Sequence, residues 1–192
     1  MKTLARAAQK LLTPKVSGPR YIVASPFKTA TTTVEQALLH LGAGNRAMRY
    51  APNLLQGNLS KIAAANSTVP PRLAAARYIA RHGPELRQMF APLMPALERH
   101  DIFADAPFGH GHFHPFVLKA LAPDLRMIWV NRPMRDWIDS VRRWEESHRD
   151  LYPQHVRWQH NPEGRKQAMR AQWHAKRREF RRLQKAFPQD CL

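Results

Sequence analysis

The feature that most constrains the fold of this chain is a short apolar run that breaks into a tight loop and then a helix, and it occurs twice. The first copy begins at Tyr21-Ile22-Val23-Ala24, entered from Ser17-Gly18-Pro19 and left at Ser25-Pro26. A β-branched and aromatic run bounded in this way reads as a buried strand. From Thr31 to Leu41, apolar residues at Val34, Ala37, Leu38 and Leu41 recur at helical spacing and stop at Gly42 and Gly44. The second copy runs from Leu125 to Val130, through Asn131-Arg132-Pro133, into a helical pattern carried by Trp137, Val141 and Trp144. Between them, Ile102-Phe103-Ala104 is a further candidate strand, followed by a loop from Asp105 to His114 and a helical Phe116–Leu121. Strands alternating with helices predict a parallel sheet with helices packed on it, whose ligands bind at the carboxyl ends of the strands.

The intervening segments fill in around this plan. Arg46 to Tyr50 reads as another short strand. Residues 52 to 99 read as several short helices interrupted by Pro70-Pro71, Gly83-Pro84, Pro92 and Pro95. Pro162 to Phe187 reads as one long basic helix with Met169, Trp173, Phe180 and Leu183 on its apolar side, expected to pack over the ligand edge. The segment Phe187 to Leu192 resembles the approach to another strand, so a truncated end is expected. At 192 residues the chain is expected to form one domain, 1–192, with its motifs in 20–148 and the basic helical segment in 162–187.

Charge narrows the partners. Thirty-one Lys and Arg against 14 Asp and Glu give +17, a surface that attracts anions. Charge alone selects none of nucleic acid, acidic lipid, acidic glycan or phosphorylated cofactor. No run of eighteen or more apolar residues is present, so no transmembrane segment is expected, although peripheral membrane contact fits the charge. The basic start, Met1 to Lys15, has neither a continuous apolar stretch nor a small-residue cleavage site, which predicts a cytoplasmic location. Cys191 stands alone, without Cys or His partners at metal-ligand spacing.

Two motifs carry chemistry. Pro26-Phe27-Lys28-Thr29-Ala30-Thr31-Thr32-Thr33 lies between the first strand and helix, where backbone N–H groups, a lysine and four hydroxyls can hold a phosphate. The Walker pattern of Gly, four residues and Gly-Lys-Ser/Thr is absent; here the lysine precedes the hydroxyls. That order resembles the loop of sulfotransferases that use 3′-phosphoadenosine-5′-phosphosulfate (PAPS). The second motif, Leu125 to Pro133, resembles the strand of the same family that ends in Arg-Asp-Pro or Arg-Asn-Pro, with Ser140 eight residues beyond Arg132. The resemblance covers residues 20 to 148 and implies a three-layer α/β/α, P-loop-like sulfotransferase fold with a central parallel sheet.

It implies site residues as well. Lys28, Thr29, Ala30, Thr31, Thr32 and Thr33 would bind the 5′-phosphosulfate, with Lys28 also at the reacting centre, while Arg132 and Ser140 would hold the 3′-phosphate. Two departures stand out: Ala30 replaces the usual Gly, and Pro133 follows Arg132 directly, without an intervening Asp or Asn. Asp105-Ala106-Pro107-Phe108 resembles the Asp-x-Pro-Phe of bacterial members and makes Asp105 the expected base, provided the site lifts its pKa.

His110, His112 and His114 are further base candidates, and their alternation would put all three on one side of an extended segment. No metal is expected among them, because no fourth ligand is evident. Glu35, one turn into the first helix, is held in reserve. Arg165-Lys166, His155, Trp158 and His160 receive no role. The expected activity is transfer of a sulfuryl group from PAPS to a hydroxyl or amine of a small-molecule, carbohydrate or lipid acceptor, releasing adenosine 3′,5′-bisphosphate. Two rivals remain open: another P-loop group transferase such as a small-molecule kinase, and a non-catalytic basic module that binds nucleic acid or another polyanion.

Overall fold

The computed structural model describes residues 18–148, 158 and 160–192. The basic start and Arg149, His155 and Arg157 lie outside them. The chain is mixed α/β, with a three-stranded parallel sheet in the order β2-β1-β3. Strand β1 (Arg20–Val23) is central; β2 (Ile102–Phe103) and β3 (Leu125–Ile128) flank it. Tyr21 pairs with Ile102 on one side, and Arg20 through Val23 pair with Leu125 through Ile128 on the other. Arg20 fixes the strand starts, because its guanidinium donates to Asp124 at the head of β3 and to the Leu97 carbonyl. With all three strands parallel, the loops after Val23, Phe103 and Ile128 emerge at one edge.

Helix α1 (Thr31–His40) follows β1 as its periodicity predicts, but that periodicity does not mark a core face. Thr31 is its one fully buried residue, Ala37 is exposed, and Leu41 is 77% exposed. Four helices lead to β2: α2 (Pro52–Gln56), α3 (Leu59–Ser67), α4 (Ala75–Met89) and α5 (Met94–Arg99). The expected break at Gly83-Pro84 does not occur, and α4 runs straight through it. Gly83 is buried where α4 lies close to the Ala120 carbonyl, so packing overrides the local helix-breaking tendency. The strand expected at Arg46–Tyr50 is reduced to a single bridge, Ala47 to Ile102.

Helix α6 (Pro115–Leu121) is buried over all seven residues and packs on α4. Its Lys119, 2% exposed, donates to Asp190 at 2.9 Å and to the Pro123 carbonyl at 2.6 Å, which compensates the burial of its charge. Helix α7 (Met134–Ser147) follows β3, and α8 (Pro162–Ala186) buries Met169, Trp173, Phe180 and Leu183, as their spacing predicts. After α8 the chain returns to the sheet: Cys191 bridges Met127, Trp129 N–H donates to the Leu192 carbonyl, and Leu192 N–H donates to the Met127 carbonyl. Besides the main core, Trp137, Ile138, Val141, Trp158, Met169 and Trp173 form a second apolar cluster, against which Phe27, Trp129 and Met134 pack. That cluster is the floor under the loops of the candidate site. Among the described residues, no helix is long and apolar enough to cross a membrane.

Candidate functional site: three loops at the carboxyl edge of the sheet

The loop between β1 and α1 turns sharply. Thr29 is fully buried, and its hydroxyl donates to the Pro26 carbonyl at 2.6 Å. Lys28 and Ala30 on either side of it take left-handed backbone conformations, with φ of 65° and 66°. Ala30 therefore adopts the conformation that glycine accepts most readily. It is the N-cap of α1, supplies no side-chain cap, and is followed by a first turn without acidic residues. The first helical bond is Val34 N–H to the Ala30 carbonyl, so the N–H groups of Thr31, Thr32 and Thr33 have no intrahelical partner. Free N–H groups at the positive end of a helix dipole form an anion site. Of the hydroxyl residues, Thr31 is buried and Thr32 and Thr33 are exposed.

The loop after β3 is joined directly to this one. Val130 N–H donates to the buried Ser25 Oγ at 2.6 Å, Arg132 Nη1 to the Lys28 carbonyl at 2.6 Å, and Trp137 Nε1 to the Phe27 carbonyl at 2.8 Å. The Lys28 ammonium lies 4.9 Å from the ring centre of Trp144, while Phe27 meets the same ring edge-on at 5.6 Å. Burial lowers the pKa of Lys28. Trp137 and Trp144 lie two turns apart on the stripe of α7 that faces the β1 loop, and Ser140 falls between them on that stripe. Lys28 and Arg132 thus share one corner of the molecule, and Ser140 belongs to the helix whose Trp137 and Trp144 pack against it. One N–H of Arg132 holds the loop, and its other N–H groups have no partner among the described residues.

The third loop, after β2, holds the base candidates. Asp105 accepts from His110 Nε2 at 2.9 Å and from the Ala106 N–H at 2.7 Å. Burial would raise the Asp105 carboxyl, but the His110 hydrogen bond, the Ala106 N–H and the fields of His110 and His112 outweigh it and hold the pKa below the usual value. The lifted pKa expected of Asp105 is therefore not found. Glu35 behaves in the opposite way: burial and then the Asp105 charge raise its pKa, against smaller lowering effects from Arg49 and Gln36. The reserve candidate carries the carboxyl with the more base-like environment.

The histidines do not line one face of an extended segment. His110 and Gly111 both have positive φ, 61° and 66°, which breaks the alternation. His110 turns toward Asp105 and Phe27, whose ring centre is 6.2 Å away. His112 lies 6.4 Å from His110, ring to ring, and is pushed down to about 4 by burial, then by His110 and Lys176. His114 instead caps α6, its Nδ1 accepting from Phe116 N–H at 3.1 Å; burial, Lys176 and Arg182 push it down to about 3. Among the described residues, no group of three His, Cys, Asp or Glu side chains is arranged to hold a metal.

Three of the residues left without a role, Arg165, Lys166 and Trp158, hold structural contacts. Arg165 pairs with the buried Glu145, which also accepts from Trp158 Nε1, and Lys166 pairs with Glu163. Of the aromatic clasp of Phe27, Trp137 and Trp144 around the β1 loop, the sequence marks the two tryptophans but carries no signal for Phe27. The seven-residue interval between the two tryptophans was the available signal. Compared with protein-family models, with curated proteins and with solved structures, the chain matches none.

Proposed function

We propose that the chain is a sulfotransferase that draws its sulfuryl group from PAPS, built on a P-loop-like α/β/α framework. The observation that carries this reading is the 2.6 Å hydrogen bond from Arg132 to the Lys28 carbonyl. It brings the two loops of the sequence resemblance, 104 residues apart, to one corner, where a nucleotide phosphorylated at both ends could bridge them. The donor set fits such a ligand: a lysine, three free helix N–H groups and threonine hydroxyls on one loop, and an arginine with spare N–H groups and Ser140 on the other. PAPS would supply an activated sulfuryl group, and its loss leaves adenosine 3′,5′-bisphosphate.

In this reading Lys28 and the N–H groups of Thr31, Thr32 and Thr33 hold the 5′ end, and Arg132 and Ser140 hold the 3′-phosphate. Glu35 takes the acceptor's proton at its carboxylate, because its raised pKa makes it a better base than the stabilised Asp105. Asp105 and His110 hold each other in place, within electrostatic reach of Glu35. The test is thermal protection. Adenosine 3′,5′-bisphosphate should raise the melting temperature markedly more than ATP with magnesium does. Equal protection by the two, as a general polyanion binder would give, greater protection by ATP with magnesium, as a small-molecule kinase would give, or no protection by either would overturn the reading.

A further inference from the structure

A cleft of about 220 Å³ opens between the end of β3 and the last turns of α8, lined by Trp129, Asn131, Arg177, Phe180, Arg181 and Gln184, with Leu192 at one end. Nothing in the proposed reaction uses it. One wall is aromatic, since Trp129 and Phe180 lie 5.6 Å apart, ring to ring. The mouth is cationic: Arg177 and Arg181 stand one helical turn apart, and neither has a carboxylate or carbonyl partner among the described residues. The Asn131 and Gln184 amides add polar groups. Trp129 lines this wall, and its buried Nε1 has no hydrogen-bond partner among the described residues.

We infer that this cleft binds a small aromatic anion, an aryl ring carrying a phosphate, sulfate or carboxylate. An apolar cavity of about 150 Å³ is enough for benzene, so this cleft has room for one ring and its acidic group, but not for a stacked polymer. The unpaired guanidiniums select against a neutral ring, because they match the paired oxygens of such an anion. The aromatic wall selects against a bare inorganic ion, which gains nothing from the rings. Arg177 and Arg181 reach the ligand from the same face of α8, so each should contribute separately. Binding of such an anion here requires no sulfuryl transfer.

The test uses the full chain with phenyl phosphate, inorganic phosphate and benzyl alcohol as probes. Binding is followed by calorimetry and by the indole N–H resonance of Trp129, assigned through Trp129→Phe. Phenyl phosphate should shift that resonance saturably and bind at least about tenfold more tightly than either other probe. Arg177→Gln and Arg181→Gln should each weaken it by about tenfold and leave the melting temperature unchanged, because neither arginine holds another residue. Adenosine 3′,5′-bisphosphate should not displace it. An unmoved Trp129 resonance, undiminished binding in both variants, equal binding of phosphate and phenyl phosphate, or displacement by the nucleotide would each overturn the inference.

Discussion

Ala30 offers the sharpest check on the geometry of the β1 loop, because the sign of one substitution depends on one dihedral angle. With φ of 66° and ψ of 32°, it is a non-glycine residue in the left-handed region. That conformation costs an L-residue roughly 1–2 kcal/mol, which Ala30→Gly would relieve. Glycine also gives the unfolded chain more freedom, an opposing effect of about 0.4–1 kcal/mol. The difference leaves Ala30→Gly more stable by about 0.8 kcal/mol at the middle of both ranges. For a chain of this length that is an upward melting shift of roughly 2–3 °C. Differential scanning calorimetry reads it directly, and Ala30→Val, a β-branched residue forced to positive φ, should move the melting point down. Had Ala30 ordinary helical or extended geometry, glycine would destabilise by roughly 0.5–1 kcal/mol. A fall in melting temperature on Ala30→Gly would therefore refute the loop conformation on which the free N–H groups of Thr31 to Thr33 depend.

Three further outcomes follow from the loop after β2. Asp105→Asn removes a negative charge that raises the Glu35 pKa, so the Glu35 titration followed by carboxyl-carbon NMR should move to lower pH; an unchanged midpoint would show that the two carboxyls do not interact. His114 is held neutral down to about 3, whereas an unfolded histidine titrates near 6.5, so the unfolded chain binds more protons between those values and stability falls as pH drops through that window. His114→Asn, which keeps a side-chain acceptor for the α6 cap, should flatten that part of the stability profile measured by urea unfolding, and an unaltered slope would contradict the assignment. Gly109→Ala would place a Cβ 2.5 Å from the Ala104 carbonyl carbon and 2.6 Å from the Asp105 nitrogen, backbone atoms that have little freedom to yield. A loss of about 1–3 kcal/mol is expected in the same unfolding assay, and a neutral effect would show that the loop does not pass this close to β2.

The strand–loop–helix units were legible in the sequence because their signals are local. The β-branched run at Tyr21–Ala24 and the 3.6-residue spacing in α1, α7 and α8 place those elements to within a few residues. Gly83-Pro84 misled because a close approach to Ala120 is a tertiary fact invisible in a helix-breaking dipeptide. The alternation of His110, His112 and His114 misled for a related reason: period-two reasoning assumes extended backbone, and positive φ at His110 and Gly111 removes that assumption. The site residues Lys28, Arg132 and Ser140 could be proposed from two short strings. The bond from Arg132 to the Lys28 carbonyl, and the seating of Lys28 over Trp144, join residues more than 100 positions apart and had no local signature. The reversal between Asp105 and Glu35 was equally hidden, because it arises from hydrogen bonds to Asp105 within its loop and from the action of the Asp105 charge on Glu35 in helix α1.

The account turns on Arg132 reading a phosphate that Lys28 does not. Titration calorimetry with adenosine 3′,5′-bisphosphate and with adenosine 5′-monophosphate, on the unaltered chain and on Arg132→Ala, isolates that phosphate. The account predicts that the bisphosphate binds the unaltered chain more tightly by at least about tenfold, and that Arg132→Ala removes this preference while still binding the monophosphate. A preference that survives in Arg132→Ala, or no preference in the unaltered chain, would contradict it.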